Sequence, residues 1–159
     1  MSSKISLRTN IKLEHRDLDG EYKQKILNNS RVKLKNTTSK EGYILDVLSV
    51  EKIFGNKIKN NSVVFDVNLQ TLCIKLEKGV KITGKVSMLF PHGVFAELYT
   101  IKLFVPEKDL KKFRYNNEEE CFMDGKKTIK KDDEIELEIT DLKFENGNYK
   151  CITKLYWKM

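Results

Sequence analysis

The stretch Gly79-Val80-Lys81-Ile82-Thr83-Gly84-Lys85-Val86-Ser87-Met88-Leu89-Phe90-Pro91-His92-Gly93-Val94-Phe95-Ala96 decides the architecture. Val80, Ile82, Val86 and Met88 fall on alternate positions around Gly84, and Val94, Ala96 and Leu98 alternate again beyond His92-Gly93. A period of two marks strands buried on one face. Ile101, Leu103 and Val105 supply a third strand, and 106–112 read as a helical turn. Residues 113–131 are a long charged connection with a short hairpin at Cys121–Ile129. Ile135, Leu137 and Ile139 then alternate with Glu134, Glu136 and Glu138 in a half-exposed strand. Asn146-Gly147 is a hairpin turn, and it leads to a strand with Tyr149, Cys151, Thr153, Leu155 and Trp157 on one face. Five strands with a long connection between the third and fourth meet the requirement of an all-β OB-fold barrel.

Working back from Gly79, the pattern changes. Ile5, Leu7, Ile11 and Leu13 alternate in a strand over 4–14. Asp17 and Asp19 are candidate caps for one amphipathic helix over 20–35, with Tyr22, Ile26, Leu27 and Leu34 at helical spacing. Asn36-Thr37-Thr38-Ser39 breaks it. A strand over 42–53 follows, with Gly42 marking a bulge or a close backbone approach. Residues 54–61 read as an irregular loop, and strands over 62–69 and 71–77 complete a small α+β sheet. The expected boundaries are 1–78 for this first module and 79–159 for the barrel, joined without a linker.

The chain of 159 residues carries a net charge of +7, which favours a polyanion partner. The charge is uneven. Residues 1–78 hold 15 basic and 9 acidic groups (+6), and 79–159 hold 15 and 14 (+1). RNA affinity in the barrel is therefore expected to be local. Cys73, Cys121 and Cys151 have neither CxxC spacing nor an even count, so free thiols in a reducing compartment are expected, without zinc or disulfides. No apolar run approaches the roughly 18 residues of a membrane span, and the first residues lack the apolar core of a signal peptide.

Catalysis finds little support. His15 and His92 lie in different modules, and no GxSxG, HExxH or P-loop pattern occurs. Asp132, Asp133 and Glu134 read as a polar lead into a strand. No catalytic residue, metal site or cofactor is expected. The stronger constellation is Phe90-Pro91-His92-Gly93-Val94-Phe95. If Val94 and Ala96 point inward, Phe95 points outward, where it either stacks a base or packs on another protein surface. Phe90 reads as structural. Lys85, His92, Phe95, Lys102 and Arg114 form the candidate RNA-binding set. Phe54, Gly55, Lys57, Ile58 and Lys59 form a candidate docking plug, apolar at its centre with lysines at the rim.

Taken in order, these motifs resemble the stalk subunit of multisubunit DNA-directed RNA polymerases, the seventh subunit of the eukaryotic enzyme and the E-prime subunit of archaea. The resemblance rests on Gly42-Tyr43-Ile44-Leu45, then Ser62, Phe65 and Val67, then Gly79, Ile82, Gly84 and Val86, and finally His92-Gly93-Val94 and Phe104-Val105. It runs from about residue 5 to 157. It implies an RNP-like first module that docks on polymerase core subunits near the clamp. It also implies an S-one-type barrel facing nascent single-stranded RNA, and a small helical partner of the fourth-subunit type. Phe95 matches an RNA-stacking aromatic of S-one-type domains. Tyr99-Thr100 departs from their usual glycine turn, and Pro106 stands where many have an RNA-contacting His.

The implied role is non-catalytic. It places the chain in the nucleus of a cellular eukaryote, or in a viral factory or virion if the polymerase belongs to a large DNA virus, a source that the many Lys, Asn and Ile residues, typical of AT-rich coding, fit. A free-standing S-one-type protein of translation or RNA decay is the alternative, though it has no reason to carry this first module. A nuclease is disfavoured by the scattered carboxylates and histidines.

Overall fold

The structure, a computed structural model, describes residues 2–158. Its chain divides into two compact units, Ser2–Lys75 and the residues from Leu76 on.

In the first unit, β1 (Ser2–Glu14) leads through a short turn to α1 (Tyr22–Leu34), followed by β2 (Thr37–Ser39), β3 (Gly42–Lys59) and β4 (Ser62–Ile74). The sheet order is β1-β4-β3-β2, and every pairing is antiparallel. Helix α1 covers one face. Ile26 is fully buried against Ile11, Leu13, Val47, Val63, Phe65, Val67 and Leu69, and the Tyr22 ring stacks on Phe65 at 5.9 Å. Asp19 does not cap the helix as the N-cap residue. Its carboxylate instead accepts from the Glu21 amide at 2.9 Å and pairs with Lys25 at 2.7 Å.

Two expectations fail in the β3–β4 hairpin. Residues 54–59 are not an irregular loop but the end of β3, and the turn is confined to Asn60-Asn61. The expected strands over 62–69 and 71–77 are one strand that ends at Ile74, and within it Thr71 is accommodated in the core by donating to the Ile5 carbonyl at 2.8 Å. The 17 residues from Tyr43 to Lys59 face only the 13 from Ser62 to Ile74, with register shifts at Ile44/Asp46, Val47/Ser49, Val50/Lys52 and Ile53/Gly55. Each bulge adds a residue and tightens the twist. The apolar residues facing the core therefore recur every third position (Ile44, Val47, Val50, Ile53) rather than every second. This coils β3 around the helix.

The second unit contains β5 (Lys81–Phe90), β6 (Gly93–Leu98) and β7 (Ile101–Pro106), a 3-10 turn at Glu107–Asp109, then β8 (Arg114–Asn116), β9 (Cys121–Asp124), β10 (Lys127–Ile129), β11 (Glu134–Glu145) and β12 (Asn148–Lys158). A closed barrel runs β11-β12-β7-β6-β5, the OB arrangement, with β12 parallel to β7 and the other pairs antiparallel. Ile82, Val86, Val94, Ala96, Leu103, Val105, Leu137, Ile139 and Leu155 fill its interior. The connection between the third and fourth barrel strands forms a small sheet, β10-β9-β8, with Phe122 and Ile129 fully buried. Cys73, Cys121 and Cys151 are free and buried.

Two side chains predicted to face inward do not. Between Val86 and Met88 a bulge at Ser87 resets the phase, and Met88 is 53 % exposed. A second bulge at Tyr156 sets Leu155 opposite Leu137 but Trp157 opposite Glu136, leaving Trp157 59 % exposed. Among the described residues no helix is long and apolar enough to cross a membrane.

Candidate nucleic-acid interface

The barrel pairings line up two neighbouring rows on its outer surface. In one, Met88 lies opposite Phe95, Phe95 opposite Phe104, and Phe104 beside Ile152. In the other, Lys85 faces Glu97, Glu97 faces Lys102, and Lys102 lies beside Lys150, which faces Lys143. Rows two residues apart along a strand are separated by about 7 Å. An apolar aromatic row beside a row with four lysines and Glu97 is an arrangement that suits single-stranded nucleic acid, with bases on rings and phosphates on ammonium groups.

The aromatic row is widened by its turn. The Phe95 and Phe104 ring centroids are 4.7 Å apart, and Phe90 meets Phe95 edge-on at 5.9 Å. The His92 imidazole stacks parallel to Phe90 at 5.4 Å and lies 6.3 Å from Phe104. The backbone holds this cluster. The Glu107 amide donates to the His92 carbonyl at 3.0 Å, and the Ser87 hydroxyl at the bulge donates to the Phe95 carbonyl at 3.1 Å. Gly93 is needed for space, because an added Cβ would lie 2.6 Å from the Phe104 ring and collide with the Val105 carbonyl. Phe90 therefore has a part in the surface as well as a structural one.

Beside Phe95 and Phe104 a groove of about 560 Å³ is lined by Lys102, Leu142, Lys143, Lys150 and Ile152, with Asp141 at its edge. Lys102 is held by Glu97 at 2.6 Å. Cys151 lies under the groove. Burial pushes its thiol up to about 11, so it stays protonated at neutral pH and is no nucleophile there.

Of the five residues read from sequence, His92 and Phe95 share the aromatic cluster, and Lys85 and Lys102 share the charged row. Lys85 stands 3.9 Å from Asp132. Arg114 is apart from them in β8, where its guanidinium donates to the Lys111 and Phe113 carbonyls at 3.1 and 3.0 Å. Phe104, Ile152, Lys143 and Lys150 are outside the sequence-derived set, and Met88 is read there as facing inward. Phe104 was recoverable, since the two-residue turn Tyr99-Thr100 sets Leu98 opposite Ile101 and hence Phe95 opposite Phe104.

In the first unit, the Phe54 ring lies under the Arg8 guanidinium at 4.0 Å, with the Lys52 ammonium 5.0 Å away. Arg8 also grips Asp66 through both carboxylate oxygens, at 3.1 and 2.8 Å. This hydrogen bonding, with Lys57 adding to it, holds the Asp66 carboxyl below its ordinary range. Gly55 lies opposite Asp66, and Lys57, Ile58 and Lys59 form the exposed end of the hairpin, with Ile58 82 % exposed.

The S1 RNA binding domain family matches residues 75–149. Over 109 residues the chain is 30 % identical to the DNA-directed RNA polymerase II subunit rpb7 of Dictyostelium discoideum, a match spanning 64 % of this chain and 63 % of that protein. The match thus covers less than two thirds of the relative's length. The S1 match lies over the barrel, and the similarity to the polymerase subunit, at 109 residues, is longer than the barrel alone.

Proposed function

We propose that the protein is a non-catalytic stalk subunit of a DNA-directed RNA polymerase, docking on the core through its first unit and contacting nascent RNA through its barrel. The observation that carries the reading is the polymerase-subunit similarity over 109 residues, more than the barrel alone supplies. The RNA part is supported by the Phe95–Phe104 row beside Lys102 and Lys150. The docking part is supported by the exposed hairpin end, where Phe54 and Ile58 present apolar surface among Lys52, Lys57 and Lys59.

In this reading the first unit is the RNP-like tip domain and meets core subunits near the clamp, a small helical subunit completes the stalk, and a cellular eukaryotic form works in the nucleus. RNA is held by stacking and by phosphate contact, with no bond made or broken by this chain.

The test is reconstitution. Purified chain is mixed with polymerase core stripped of its stalk and resolved by size exclusion. Co-migration is expected, and it should be lost in Lys57→Glu/Lys59→Glu but kept in Phe95→Ala. A chain that stays monomeric while binding RNA would favour a free-standing S1-type protein instead.

A further inference from the structure

The outer face of β12 does not end at the groove. Lys150, Ile152, Lys154 and Tyr156 all point outward, and the bulge at Tyr156 adds Trp157 to them. Two consecutive aromatic side chains are thereby exposed, Tyr156 by 41 % and Trp157 by 59 %. A single exposed apolar residue needs no explanation, but adjacent large rings encircled by charge do. Lys81 stands 4.0 Å from the Tyr156 ring centroid and Lys111 5.9 Å, while Lys127 stands 5.7 Å from the Trp157 ring. Lys111 also donates to the Tyr156 carbonyl at 2.9 Å, which fixes it beside the rings. Lys112 joins Lys111 and Lys127 around the hollow next to Trp157, where Asp124 is the acidic neighbour. Lys112 and Lys127 have no ion-pair partner among the described residues.

We propose that Tyr156 and Trp157, ringed by Lys81, Lys111, Lys112 and Lys127, form a second stacking platform for single-stranded RNA. Five residues separate Ile152 from Trp157, about 17 Å along the strand. One strand of RNA therefore crosses from the groove to the platform over the outer face of β12. Lys154, already paired with Glu138 at 3.2 Å, lies between the two. A protein partner would also bury a tryptophan, but Lys81, Lys111, Lys112, Lys127 and Lys154 outnumber the neighbouring Asp124, Glu136 and Glu138, and this cationic excess beside stacked rings matches a polyanion. The inference rests on the barrel's RNA contact proposed above and extends it to a site on the opposite half of β12.

Trp157 is the chain's single tryptophan, so its emission reports on this platform alone. The experiment titrates the full-length protein with a 12-nucleotide oligouridylate and reads tryptophan emission beside the anisotropy of a labelled copy. The expected result is saturable quenching that persists in Phe95→Ala. In Lys112→Gln/Lys127→Gln, checked for folding by circular dichroism, the slope of log affinity against log salt should fall by roughly 1.4. Tyr156→Ala should weaken binding by about fivefold or more. Unchanged emission with Phe95-dependent anisotropy overturns the platform and leaves the groove intact. Equal quenching by duplex RNA overturns the stacking claim. An emission shift with polymerase core but not with RNA overturns it in favour of a protein contact. Absence of any RNA binding overturns both the platform and the groove.

Discussion

Residues 1–78 carry a net charge of +6 and residues 79–159 only +1, yet the ordered aromatic surface is on the second half. In the first unit cations are dispersed along strands and a helix, and in both units several are ion-paired, as Arg8 is with Asp66, Lys102 with Glu97 and Lys143 with Glu145. In the barrel the charges nearly cancel in sum, but strand register gathers Lys102, Lys150 and Lys143 beside Phe95 and Phe104. Net charge sets long-range attraction, whereas a binding site depends on which side chains the register makes neighbours. Under the proposed function assembly belongs to the first unit and RNA to the barrel, so each of the following perturbations should affect only one of them.

The largest effects should be on folding. Gly42 has φ +132°, and an added Cβ would collide with the Ile74 carbonyl, which is backbone and cannot yield. Gly42→Ala should cost about 3 kcal/mol or more, seen as loss of the first unit's urea transition. In the barrel, a Cβ at Gly84 would meet the Leu103 Cδ1 at 2.8 Å, a side-chain end that can move. Gly84→Ala should therefore cost less, about 1–3 kcal/mol. Equal costs in the two variants would contradict this account of their surroundings.

Next come the binding variants. Phe95→Ala and Phe104→Ala should each weaken single-stranded RNA binding by about fivefold to a hundredfold, measured by anisotropy, with polymerase association unchanged. Lys57→Glu/Lys59→Glu should reduce polymerase retention severalfold and leave the RNA affinity of the barrel alone. A loss of both properties in either variant would break the division of labour.

The smallest effect should be electrostatic. Arg8 holds the Asp66 carboxyl below its ordinary range, so its contribution to stability is present above the unfolded carboxylate range and is lost as pH falls through the lowered folded value. Asp66→Asn should flatten the acid limb of the first unit's stability profile. The pair is exposed and screened, so the change should shrink further in high salt.

The barrel was legible in the sequence because its inward residues keep a period of two through β6 and β7, and because Asn146-Gly147 fixes one hairpin. The reading failed where a bulge inserts a residue. Ser87 turns Met88 outward, and Tyr156 does the same for Trp157. Strand β3 is the extreme case. Four bulges convert its period to three between Ile44 and Ile53, and the regularly paired residues beyond Gly55 are exposed, so they carry no apolar alternation to mark a strand in sequence. The helix was legible because Tyr22, Ile26 and Leu34 keep helical spacing. The candidate site was half legible. Phe95 and His92 stand out beside a turn, but Lys150 and Ile152 become neighbours of Lys102 and Phe104 only through a parallel pairing almost fifty residues away in sequence, which no local pattern encodes.

The most direct test of the central claim is affinity purification of the tagged chain from its native source, with identification of the proteins that come with it. The account predicts the large catalytic subunits of a DNA-directed RNA polymerase in stoichiometric amount. Recovery of the chain with RNA but without polymerase subunits would contradict it.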